Sequence, residues 1–166
     1  MADKSSFTPE EWRSVLESVM MASLAVTAAD PSGLWGLLKE SFASGTTLAA
    51  GKSDAGANAL IKAVVADFET AEGRSAARDG LKERFVGSKP GEIKARCIEA
   101  LRKVGTLVDT KAPGDAAAFK GWLRTISQHA AEAAKEGGFL GIGGVRVSEA
   151  EKATLTEIAS ALSLAV

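Results

Sequence analysis

Apolar residues recur at spacings of three and four in one stretch after another, and no stretch alternates with period two for long enough to require a sheet. A chain patterned this way has to bury helix stripes against other helix stripes. Its composition agrees. Alanine and leucine, which favour helices, are abundant, and tyrosine is absent. The 166 residues are enough to bury a sizeable core. The expectation is an all-α chain: a single domain over residues 1–166, built as an irregular bundle of about seven helices, with residues 1–7 a disordered N-terminus.

The helix boundaries are written most clearly at the N-termini. Thr8 can cap the first helix, Pro9 suits its first position and Glu11 completes a capping box. Trp12, Val15, Leu16, Val19, Ala22 and Val26 then mark one buried face. Asp30-Pro31 ends it, because the residue before proline is pushed out of helical geometry. A shorter helix is expected from about Pro31 to Ala43, with the stripe Leu34, Leu37, Leu38 and Phe42. The small, polar tract from Gly45 to Asn58 reads as a loop. A third helix is expected from Ala57 to Glu72, with Gly73 as its break. A weaker fourth follows over Ser75–Val86, in which Gly80 is a liability. The fifth runs from Pro90 to Val108 with Ile93, Cys97, Val104 and Val108 inward. Ala112-Pro113-Gly114 opens a sixth that stops at Gly137-Gly138, and Ser148 with Glu151 caps the seventh.

Between the last two helices lies a glycine-rich apolar run, Gly137 to Val145. Its Phe139, Leu140 and Ile142 are expected to plug into the core. A phosphate-cradling reading is disfavoured. The run follows a helix rather than a strand, and it contains no Gly-Lys-Ser or Gly-Lys-Thr.

Net charge is −1, so no global field points to nucleic acid or to an anionic membrane. The distribution is uneven, with twelve basic against six acidic residues between Arg74 and Arg124. The plain reading is solvated helix faces; the sharper one is a docking surface for an acidic partner. Cys97 is alone, which excludes an intrachain disulfide and a cysteine-rich zinc site. No apolar run approaches the roughly 18 residues that span a bilayer, and no signal core follows the polar N-terminus. A cytoplasmic location is the expectation.

Few groups suggest chemistry. His129 is the only histidine and falls near the apolar stripe of its helix, where the plain reading is a hydrogen-bonded residue at the edge of the core. Cys97 falls on an inward stripe and reads as a small packing residue. Trp35 is offset from its helix stripe, which marks it as a candidate for lining a pocket together with His129. Carboxylates gather at helix ends: Asp30 and Glu40 around one break, Glu136, Glu149 and Glu151 around another. Oxygen ligands so placed could hold a hard cation, although capping and the helix dipole also explain Glu149 and Glu151.

The two breaks are alike. Ala28-Ala29-Asp30-Pro31-Ser32-Gly33 precedes Lys39-Glu40, and Ala133-Ala134-Lys135-Glu136-Gly137-Gly138 precedes Val147-Ser148-Glu149-Ala150-Glu151. This resembles the TerB-like tellurite-resistance helical family, in which an Ala-x-Ala-Asp-Gly break is followed by a Ser-x-x-Glu helix start. The resemblance covers only these two regions. Asp30 is followed by Pro-Ser-Gly rather than glycine, and Glu136 stands in the second aspartate position. What it implies is an all-helical pseudo-repeat, stress-related complexes and a divalent cation held by Asp30, Glu40 and Glu136.

The first functional expectation is a non-catalytic helical binding or scaffold protein, acting through a protein partner or self-association such as a dimer, and not at a membrane or on nucleic acid. Two alternatives stand beside it. One is a TerB-like divalent-cation-binding protein, and the other a small-ligand enzyme or carrier with a pocket near Trp35 and His129.

Overall fold

A computed structural model describes residues 2–29, 58–136 and 147–164, with the side chains of residues 90 and 133–136 outside that description. Six α-helices lie among the described residues: α1 (Pro9–Thr27), α2 (Ala59–Glu69), α3 (Ala71–Phe85), α4 (Pro90–Lys111), α5 (Pro113–Glu136) and α6 (Glu149–Ala161). A short 3-10 turn, Lys4–Ser6, precedes them. The described part is helical and contains no strand. Each of the six matches an expected helix. The expected helix at Pro31–Ala43 lies outside the described residues, as does the expected plug of Phe139, Leu140 and Ile142.

Helix α1 is the hub, touching each of the other five. Its C-terminal half is buried almost all the way round: from Val15 to Val26 only Met20 is partly open. A helix enclosed on every side belongs to the centre of a bundle rather than its wall. The start of α1 is fixed as its sequence signals. Thr8 Oγ1 accepts the Glu11 N–H at 3.2 Å, and the Glu11 carboxylate accepts the Thr8 N–H at 2.8 Å. Phe7 packs on Trp12 with ring centroids 5.7 Å apart, so an apolar residue before the cap staples onto the second turn.

That staple places the N-terminal residues differently from the disordered leader expected. Ala2 and Phe7 are buried, and the Ala2 N–H donates to Asp115 Oδ2 at 2.8 Å. Asp115 Oδ1 also receives Asn58 Nδ2 at 3.0 Å, while Asn58 Oδ1 caps α2 by accepting the Ile61 N–H. One buried carboxylate therefore ties the N-terminal segment, the start of α2 and the start of α5.

The break between α2 and α3 falls at Thr70, not at Gly73. Thr70 is extended and serves both helices. Its hydroxyl donates to the Asp67 carbonyl at 2.6 Å and accepts the Gly73 N–H at 2.9 Å. Gly73 is helical and sits where an added Cβ would overlap the Asp67 carbonyl, so the corner is tight because glycine occupies it.

The largest enclosed side chains lie on α5 and α1. Phe119 and Trp122 are buried with ring centroids 5.8 Å apart, and Ser127 Oγ donates to the Ala22 carbonyl at 2.9 Å, locking α5 to α1. Gly121, on the outer side of α5, has no described heavy atom within 4 Å of an added Cβ. Gly121→Ala is therefore expected to stabilise the protein by about 0.5–1 kcal/mol through helix propensity alone, read as a higher urea midpoint with unchanged slope.

Candidate functional site

The most concentrated polar chemistry among the described residues lies between α1 and α3. Glu17 projects from the enclosed half of α1 and its side chain is 4% exposed. Arg84, near the end of α3, donates to Glu17 Oε2 from Nε at 3.0 Å and from Nη2 at 2.7 Å. Both guanidinium nitrogens thus meet one carboxylate oxygen, a charge-assisted contact of the strong kind. Arg13, one turn earlier on α1, brings its Nε to 3.3 Å from Glu17 Oε1 and its Nη2 to 2.6 Å from Glu83. The Arg13 Nε contact is electrostatic, since that nitrogen makes no well-directed hydrogen bond. Beneath the cluster lies Gly80. An added Cβ there would overlap the Glu17 carboxylate and press on Arg13. The sequence marks Gly80 as a weakness in a helix; the structure uses it as the space in which a carboxylate sits.

Other buried polar groups also bridge helices. Lys120 of α5 reaches both oxygens of Asp109 of α4 at 2.8 and 3.0 Å. Trp12 Nε1 donates to Asp67 Oδ2 at 2.6 Å, joining α1 to α2, and Lys4 closes on the same carboxylate at 3.1 Å. Ser148 and Glu151 form the expected capping box on α6.

The basic segment resolves into parts. Arg84, Lys94 and Lys111 pair with Glu17, Glu157 and Glu11, and Arg74 donates to the carbonyls of Phe68 and Glu69 at the end of α2. Arg96, Arg102 and Lys103 meet Glu92 and Glu99 along their own helix. Much of the local excess of positive charge therefore answers carboxylates from distant parts of the chain. The pairs exposed to solvent contribute little stability individually.

His129 is exposed on α5. It stands at the margin of the buried stripe, open to solvent. At 3.6 residues per turn it falls just beyond Trp122 on the side away from Leu123 and Ile126. Its proposed companion Trp35 lies outside the described residues, as do Asp30 and Glu40. Glu136 ends α5, but its side chain lies outside the description. Among the described residues, no three side chains of histidine, cysteine, aspartate or glutamate gather as a metal site. No described helix is long and apolar enough to cross a membrane.

Cys97 is enclosed on α4 as expected. Burial pushes its thiol up from 9.0 to about 12, with the nearby Arg84 charge pulling partly the other way. The folded protein keeps the thiol protonated where an unfolded chain would ionise it. Stability from this group is complete below pH 9 and is lost as the pH climbs from there towards 12. Cys97 is expected to resist a thiol-disulfide reagent at pH 8 in the native state and to react within seconds in denaturant. Rapid native labelling would contradict its enclosure.

Comparison with family models, with curated proteins and with solved structures finds no match for this chain.

Proposed function

We propose that this chain is a non-catalytic helical binding or scaffold protein. The observation that carries this reading is how its inward-facing charges are employed. Asp115 and Lys120 each join one helix to another segment through paired contacts. Charge used this way fixes a frame, and a fixed frame presents helix faces to a partner at low ordering cost. The outer face of α4, with Glu92, Arg96, Glu99, Arg102 and Lys103, offers alternating charge to a protein surface.

The test has three arms on the purified full chain. Sedimentation across a concentration series reads self-association. A hydrolase and transferase substrate panel reads turnover, and activity lost in His129→Ala would overturn the proposal in favour of an enzyme. Thermal midpoints in EDTA, then with calcium, magnesium or zinc added back, read cation binding. A ligand at a hundred times its Kd stabilises by about 2.7 kcal/mol, which for a chain of this size moves the midpoint by roughly 5 °C or more. A selective rise that vanishes in Asp30→Ala would replace the scaffold reading with a divalent-cation site.

A further inference from the structure

Helix α3 is held differently from its neighbours. Its buried residues are Gly73, Ala77 and Gly80, which bring almost no apolar side chain into the core. Before it, α2 buries Leu60, Ile61, Val64, Val65 and Phe68. After it, α4 buries Ile93, Cys97, Ile98, Leu101, Val104 and Val108. Leu81 and Phe85 of α3 are only partly covered. Hydrophobic attachment follows the apolar area removed from water, so α3 has a much weaker apolar hold than the helices on either side. Gly80 in its interior weakens it further as a helix.

What α3 does have is charge. The Glu17 carboxylate lies against Gly80 and is gripped by Arg84 from the last turn. Arg13 belongs to α1 and stays within reach of Glu17 whether α3 is present or not, although its second contact, to Glu83, crosses to α3. The start of α3 is held to the end of α2 by Thr70 and Arg74, so α3 pivots at that corner and comes free from its C-terminal end. Thr70 is a single extended residue between two helices, and the following turn carries exposed Val86 and Gly87 at φ 72°. We propose that α3 is a strap that lifts from α1 as one unit while the other described helices stay folded, with the Glu17–Arg84 pair as its latch. Lifting bares the Glu17 carboxylate and the groove beside it on α1. The inference does not depend on the scaffold reading.

Hydrogen exchange of the full chain, followed by mass spectrometry at pH 7 over low urea concentrations, tests it. In the wild type, amides of Ser75–Lys82 are expected to open about tenfold or more as often as those of Phe119–Ile126, with a shallower dependence on urea. Arg84→Met is expected to speed the α3 amides by about another tenfold and to leave the α5 amides unchanged. Glu17→Gln should act in the same direction, because it removes the charge that Arg84 grips. The proposal is overturned if wild-type α3 and α5 amides open in one step with equal urea dependence. It is also overturned if Arg84→Met leaves α3 unchanged, accelerates every helix alike or fails to fold, since the last two would make the pair a support of the whole bundle.

Discussion

Phe119→Ala is expected to lower the unfolding free energy by about 3–5 kcal/mol. The side chain is wholly enclosed on α5 and packs against Trp122, so truncation loses both its transfer energy and its ring contact and leaves a cavity. In a chain of this length each kcal/mol corresponds to about 2–4 °C at the midpoint, so the melt should fall by roughly 6–20 °C. Differential scanning calorimetry on the two proteins gives the answer directly. A drop of under about 2 °C would show that α5 does not anchor the core as its burial indicates.

Ala22→Asp is expected to do more. Ala22 is fully enclosed on α1, and its carbonyl receives the Ser127 hydroxyl that locks α5 in place. A carboxylate there must either stay charged in an apolar setting or take up a proton, and either route costs several kcal/mol. Since native domains are stable by only about 5–15 kcal/mol, the variant should be largely unfolded at pH 7. The sign with pH is fixed. Burial raises the folded-state pKa of the new group, so its penalty is greatest above that value. The penalty shrinks as the pH falls towards the unfolded value of about 3.9. Far-ultraviolet circular dichroism against pH reads this, and native helicity with a wild-type melt at pH 7 would contradict the position of α1 as the enclosed hub.

The helix starts were the most legible part of the fold. Thr8 with Glu11 and Ser148 with Glu151 are short-range devices whose partners lie three residues apart, and both form as their spacing indicates. Pro90 and Pro113 likewise begin helices. What could not be read were features decided by close packing, some between near neighbours and some across the chain. Thr70 is an ordinary residue until it must turn α2 into α3, and only then does its hydroxyl serve both ends. Gly73 looks like a helix break and Gly80 like a flaw in a helix because the atoms that need their space belong to Asp67 and Glu17. Ala2 and Phe7 look like a leader because their partners are Asp115 and Trp12.

The candidate site was less legible, for the same reason. His129 shares the spacing of a core stripe, but its direction depends on which edge of α5 faces α1. The Glu17–Arg84 pair joins residues 67 positions apart, and no local pattern marks either one. The one available signal was the basic excess between Arg74 and Arg124 set against an acidic excess, ten to five, in the residues before it. Arg84 with Glu17 and Lys111 with Glu11 show what that signal meant: the two parts attract each other.

The enclosure of α1 also bears on how the protein is made. The ribosome delivers this helix before any of the helices that wrap it. Its buried half contacts α4 and α5, which begin only at Pro90 and Pro113. At about 5–20 residues per second, a nascent chain carries α1 for several seconds with its apolar sides unsheltered. Synthesis rate and chaperone supply should therefore bear on the yield of folded protein alongside its final stability.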